Sequence, residues 1–199
     1  MRQQQDNEAP GMFSMQSHRN TIQWVALIAL AGSVSLEVFL RKGFGSRYLH
    51  MQAALAMLLI LFWPLLFQHD DPLPMVWFLG AYLLMLARAR AARLTTKLGR
   101  SEDLVHSRYN GTPRLCRWMP RTSENAVKSF VEPALAVGLG IVLAGLNQSL
   151  GCYLVFAGLC MKVNHSFMEA REKVRTLDMR DMLIEQQLAV ERFRGYGRR

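Results

Sequence analysis

Long apolar stretches separated by polar connectors dominate the pattern of this chain. The stretches cover residues 22–40, 51–67, 73–87, 130–146 and 150–161. A transmembrane helix needs about 20 mainly apolar residues. The first, second and fourth stretches meet this directly. The third reaches it by including the alanines after residue 87, and the fifth must extend to about residue 167. The pattern predicts an all-α, multi-pass helical integral membrane protein with about five transmembrane helices.

Three regions follow from the same pattern. Residues 1–20 are polar, rich in Gln, and lack apolar periodicity, which is typical of a mobile tail. Residues 21–168 form the predicted transmembrane bundle, including a long basic loop at 88–128. Residues 169–199 are predicted to form a C-terminal amphipathic helix with a basic tail.

The distribution of Lys and Arg predicts the orientation of the bundle. The first connector, the 88–128 loop and the segment after residue 161 together hold 22 of the 24 cations, whereas the two connectors between them hold none. Because cytoplasmic loops carry an excess of Lys and Arg, these three basic segments are expected in the cytoplasm. Five crossings then place the N-terminus outside and the C-terminus inside, most simply in the plasma membrane.

A cleaved signal peptide is the alternative for the N-terminus. Ala29-Leu30-Ala31 resembles a signal-peptidase site after a short apolar core. Cleavage there would leave too few residues to cross before Arg41, and the charge alternation would invert. The uncleaved first helix is therefore the preferred interpretation.

Two glutamates lie inside apolar stretches, where a charge costs at least about 2.5–3.5 kcal/mol and is a functional candidate by default. Glu37 precedes Arg41 and Lys42, so it can pair with either of them. Glu132 precedes Pro133 and lies near Lys128, early in a helix that is expected to start at Ser123. Structural pairing is the simpler interpretation of both, and Glu132 is the stronger functional candidate.

The stretch "HSRYNGTPRLCRWMPR" carries the densest chemistry of the basic loop. His106 and Arg108 adjoin an Asn110-Gly111 turn, which is more specific than a basic loop requires. Arg114, Arg117, Arg121 and Trp118 are candidate contacts to anionic lipid headgroups. A nucleic-acid site is the less favoured interpretation, because a cytoplasmic loop is expected to be basic in any case.

The C-terminal segment carries an apolar stripe at helical spacing. We call it the docking stripe; its candidate contact residues are Met179, Met182, Leu183, Val190 and Phe193. A second, shorter stripe of Phe167, Val174 and Leu177 does not continue into it. His165, beside Lys162, is interpreted as an interfacial polar residue, with proton relay as the alternative.

The sequence lacks the motifs of the common enzyme classes: it contains no Walker loop, HExxH, GxSxG or dinucleotide fingerprint. Its three cysteines have no zinc or disulfide spacing, so neither a metal nor a cofactor is expected. The preferred hypothesis is a non-enzymatic membrane subunit or scaffold that docks a protein partner or a second copy. A small ion- or proton-coupled transporter or channel, and a lipid-acting membrane enzyme, are the alternatives.

Overall fold

The computed structural model describes residues 12–44, 51–98, 111–119 and 121–196. These residues are mostly helical, which confirms the all-α class. The main helices are α1 (Met12–Leu40), α2 (Met51–Phe62), α3 (Leu73–Leu98), α4 (Glu124–Ala126), α5 (Glu132–Ala144) and α6 (Gln148–Tyr196). Short 3₁₀ helices follow at Trp63–Leu66 and Arg114–Arg117, and a π-helical turn at Val127–Val131 joins α4 to α5.

Three helical segments among the described residues are long and apolar enough to cross a membrane. They are Asn20–Leu40, Leu73–Ala92 and Glu124–Ala144. The apolar segment Met51–Leu66 is shorter than a span requires. The start of α6 is not among the candidates, because Lys162 and Asn164 follow its apolar run closely. Five spans are therefore not confirmed.

The C-terminal half of α1 forms the centre of the bundle. Residues 31–38 are buried on every side, whereas residues 20–25 are exposed. The core around them includes Val34, Val38, Ile60 and Tyr82, whose hydroxyl donates a hydrogen bond to the Ala53 carbonyl. Because residues 31–38 are buried on every side, α1 is the helix that α2, α3 and α6 enclose.

Helix α1 contacts both α3 and α6. Gly32 lies against Cys160 of α6, whereas Phe39, two turns later, stacks on Phe78 near the start of α3. The Phe78 ring in turn contacts Tyr153, near the start of α6. The rings of Phe39, Phe78 and Tyr153 thus join α1, α3 and α6.

Helices α5 and α6 form the close antiparallel hairpin expected from their small residues. A Cβ added at Gly140 would meet Val155, and one added at Gly151 would meet the backbone of Ala144. Near the other end, Gly158 faces Ala136 at the same close range. Small residues at these crossings let the two backbones approach more closely than larger side chains permit.

The loop before α3 is hydrogen-bonded to the turn between α5 and α6. Asp70 accepts a hydrogen bond from the Ser149 backbone N–H at 2.7 Å, and the Asn147 side chain donates to the Asp71 carbonyl at 3.1 Å. Asn147 also caps α6 by accepting from Leu150 N–H at 2.9 Å. Carboxylate and amide oxygens satisfy helix N-terminal donors in this way, so the two predicted non-basic connectors lie together.

Residues from His165 onward form a second compact unit. It is helical through Tyr196. From residue 169 to residue 194 every position is exposed, including the apolar ones. An exposed helix with this many apolar residues offers a surface for another molecule.

Candidate functional site: a buried ion cluster

Glu37, Arg41 and Glu132 form a buried ion cluster that joins α1 to α5. Arg41 Nε and Nη2 both lie 2.7 Å from Glu132 Oε2, and Arg41 Nη1 lies 3.1 Å from Glu37 Oε1. The exposed fractions are 1% for Glu37, 2% for Arg41 and 0% for Glu132. Charges this deeply buried must be paired, because an isolated one costs several kcal/mol. The pairing predicted between Glu37 and Arg41 is confirmed.

The two partners on α1 are placed by helix geometry. Glu37 and Arg41 are four residues apart, in the order with the acid first, so they lie on one face of the chain as α1 ends. Arg41 then leaves the helix and starts the two-residue strand β1 (Arg41–Lys42). Its side chain is thus free to reach a second carboxylate away from its own helix.

Glu132 is placed by a helix start that the sequence predicts correctly. Ser123 caps α4 by accepting a hydrogen bond from Ala126 N–H. The π-helical turn Val127–Val131 then precedes Pro133. A proline lacks an N–H and its ring crowds the carbonyl four residues earlier, so a widened turn before it relieves both problems. The helix continues into α5 with Glu132 turned toward Arg41.

Lys128, which the sequence places near Glu132, is ion-paired within its own helix. Its ammonium lies 2.6 Å from Glu124, four residues earlier on the same helix. One turn away, Lys162 of α6 donates to Ser129 Oγ at 2.9 Å and lies 3.8 Å from the centre of the Phe130 ring. In the π-helical turn, Lys128 therefore contacts Glu124, whereas Ser129 and Phe130 both contact Lys162.

A segment of the basic loop covers Arg41. Strand β2 (Thr112–Pro113) pairs antiparallel with β1, with Arg41 opposite Pro113 and Lys42 opposite Thr112. Gly111 has a φ of +84°, and a Cβ there would lie 2.8 Å from the Lys42 carbonyl oxygen. Glycine tolerates both the left-handed backbone and the close approach. The loop turn singled out in the sequence thus begins a contact with the ion cluster.

A second buried polar pair joins α1 to α6. Asn164 donates a hydrogen bond to Ser33 Oγ at 2.8 Å, and both residues are buried. Ser33 lies one turn before Glu37, so α1 uses one face for two polar contacts. Sequence reasoning missed this pair. The available signal was that Ser33 and Glu37 are spaced four apart inside an apolar stretch.

The structure brings together some of the predicted site residues and leaves others apart. Glu37, Glu132 and Gly111 converge on Arg41, which was predicted only as a partner of Glu37. His106, Arg108 and Asn110 lie outside the described residues. His165 is half-buried. The candidate headgroup contacts are exposed at Arg114, Arg117, Trp118 and Arg121.

The residues of the docking stripe are all exposed, from 50% at Val190 to 78% at Phe193. Exposure alone does not identify a lipid headgroup for the arginines and Trp118, or a protein partner for the docking stripe. Among the described residues, no group of three or more His, Cys, Asp or Glu side chains is arranged to hold a metal ion. No family model, curated protein or solved structure matches this chain.

The ion cluster can do two things chemically. It can fasten α1 to α5, since one buried guanidinium donates to Glu132 and is ion-paired with Glu37. It can also bind a proton, because two carboxylates face one guanidinium and Glu132 Oε1 has no hydrogen-bond partner within the described residues. The short Arg41–Glu132 contacts favour the fastening role.

Proposed function

We propose that this chain is a non-enzymatic, multi-pass subunit or scaffold of a membrane complex, which docks a protein partner through its C-terminal helix. The observation that carries the proposal is the docking stripe, whose five apolar side chains lie exposed along the C-terminal half of α6. Apolar surface of this extent on a helix is typical of an interaction site that an amphipathic groove can cover.

The bundle supports the anchoring part of this proposal. Two of its buried polar contacts join different helices: Arg41–Glu132 joins α1 to α5, and Ser33–Asn164 joins α1 to α6. Interhelical pairing of this kind fixes one arrangement of helices in lipid, where the alternative is an unsatisfied polar group. The basic loop adds exposed arginines suited to anionic headgroups at the plasma membrane.

Cross-linking tests the docking stripe directly. A photoreactive residue at Leu183 should capture a specific protein in intact membranes, whereas one at Glu191, an exposed residue away from the face of the stripe, should not. The double variant Met182→Glu/Val190→Glu should abolish capture without changing membrane insertion. Equal capture from both photoreactive positions, or capture that survives the double variant, would contradict the proposed docking role.

The proposed membrane path has five crossings, with a cytoplasmic C-terminus. The tilt of short segments and local bilayer thinning would let Met51–Leu66 and the start of α6 cross. An impermeant maleimide should label His69→Cys from outside, and should label Cys116 only after permeabilisation. For the N-terminus, loop charge favours an outside location. The same reagent should therefore label Asn20→Cys from outside.

A proton- or ion-coupled transporter is the second candidate, favoured by the unpartnered Glu132 Oε1. Glu132→Gln should then alter proton-coupled flux in proteoliposomes, while Glu124→Gln, at an exposed carboxylate on the same helix, should not. Unchanged flux in both variants would leave the ion cluster with the fastening role alone.

A further inference from the structure

The second stripe of the C-terminal helix extends farther than its first three residues indicate. Phe167, Val174 and Leu177 continue at the same spacing to Ile184 and Leu188. In a seven-residue repeat lettered a to g, these residues and their companions occupy only a and d positions. We call the set the heptad seam: Phe167, Ala170, Val174, Leu177, Asp181, Ile184 and Leu188.

The seam has the features of a coiled-coil interface. It extends over about 32 Å from Phe167 to Leu188, at 1.5 Å per residue. Val174, Leu177, Ile184 and Leu188 are 46–57% exposed, so their faces are open to another helix. A 3.5-residue apolar repeat sustained for three heptads is the pattern that two supercoiled helices bury between them.

The charges beside the seam identify the second helix. In a parallel, in-register pair, each g residue faces the e residue five positions later in the other chain. Lys173 would face Asp178 of the second copy, and Arg180 would face Glu185 of the second copy. Both contacts join opposite charges. We propose that the heptad seam forms a parallel coiled coil with a second copy of this chain.

An antiparallel pair does not fit the same charges. It would bring g positions opposite g positions, and these carry no acid: they are Lys173, Arg180, Gln187 and Arg194. Two helices anchored in one membrane also leave it in the same direction, which favours parallel pairing. Asp181 is the polar residue at an a position, which costs stability and favours one register.

The seam and the docking stripe lie on nearly opposite faces of the helix, since residues at 100° intervals place Leu177 and Ile184 across the axis from Met182 and Val190. A dimer would therefore leave the docking stripe accessible. The inference rests on the proposed function only for the location of this helix outside the lipid. If partner capture is lost while the dimer stays intact, the proposed docking function is contradicted and the coiled coil is not.

Disulfide cross-linking compares two exposed valines of the same helix. In full-length protein with its native cysteines replaced, Val174→Cys faces its own counterpart across the seam and should cross-link under mild oxidation in liposomes. Val190→Cys lies in the docking stripe, is similarly exposed, and should stay monomeric. Equal cross-linking of both variants, or of neither, would overturn the coiled coil.

Charge reversal tests parallel pairing without relying on cysteine chemistry. Arg180→Glu and Glu185→Arg should each weaken dimers by about tenfold, measured by energy transfer between labelled chains in liposomes. Mixing the two variants should restore pairing, because each chain then supplies the complement of the other. Residues five apart do not face each other within one helix, so restoration requires contact between chains.

A variant that strengthens the dimer completes the test, because a misfolded chain would weaken the dimer. Asp181→Leu should strengthen the dimer by about tenfold, whereas Gln186→Leu, one turn after Met182 on the face of the docking stripe, should leave it unchanged. If the mixed charge variants do not associate, or if Asp181→Leu fails to tighten the dimer, the seam has another occupant. Such an occupant is a different protein or the lipid surface.

Discussion

Removing Arg41 should destabilise the bundle more than any other single change in the ion cluster. Arg41→Met keeps most of the side-chain volume but leaves Glu37 and Glu132 buried without a cation. Breaking a buried pair by removing one partner costs about 3–5 kcal/mol. Because Arg41 serves two carboxylates through three contacts of 3.1 Å or less, we expect the upper part of that range.

The two glutamates should rank below Arg41 in a predictable order. Glu132→Gln replaces the acceptor of two 2.7 Å contacts. Glu37→Gln affects one contact of 3.1 Å and leaves the Arg41–Glu132 pair intact, so about 1–2 kcal/mol is expected. For a chain of this size, 1 kcal/mol shifts the melting temperature by about 2–4 °C. Arg41→Met should therefore melt about 10–20 °C below the unmodified protein.

The assay is thermal melting of the purified full-length protein in detergent. Melting is measured as the loss of the monodisperse peak in size-exclusion chromatography after heating. The decisive comparison is the triple variant Glu37→Leu/Arg41→Met/Glu132→Leu. Replacing a whole buried ion group with apolar side chains is often neutral or stabilising, so this variant should recover most of the loss. A single Arg41→Met that melts within about 2 °C of the unmodified protein would refute the fastening role, as would a triple variant no better than the single one.

Two glycine pairs give further predictions. Gly111→Ala should lower the melting temperature more than Gly43→Ala: both glycines have positive φ, but only Gly111 would place a Cβ against the Lys42 carbonyl. Equal shifts would show that backbone conformation alone matters there. Gly151→Ala should destabilise the α5–α6 hairpin by about 2 kcal/mol or more, whereas Gly138→Ala should be nearly neutral, because no neighbouring atom approaches a Cβ at Gly138. A neutral Gly151→Ala would contradict the close approach of the two helices.

The sequence predicts local features of this fold well, because they depend on neighbours in the chain. The Glu37–Arg41 pair follows from a four-residue spacing, and the Ser123 cap from a residue type before a helix. Glu132 was identified as a candidate near Lys128, because only chain proximity was available. The true partner is 91 positions away, and a contact at that separation depends on how helices pack.

The membrane path is the part that the sequence predicts least well. Apolar length alone distinguishes a span from a buried core helix only when it reaches about 20 residues, and two of the five predicted segments are shorter. The direction of α1 was inferred from loop charges alone and stays a prediction. Loop charge reports orientation and carries no information about which helix faces which.

The separation of Glu132 from Arg41 along the chain also has a consequence for synthesis. Glu37 and Arg41 leave the ribosome together, as a pair of opposite charges four residues apart. Glu132 follows 91 residues after Arg41, as a carboxylate that its eventual partner does not yet contact. Until α5 packs on α1, the growing chain holds an acid in an apolar segment without this cation. The Arg41–Glu132 contact thus forms only in a chain whose α5 has packed on α1.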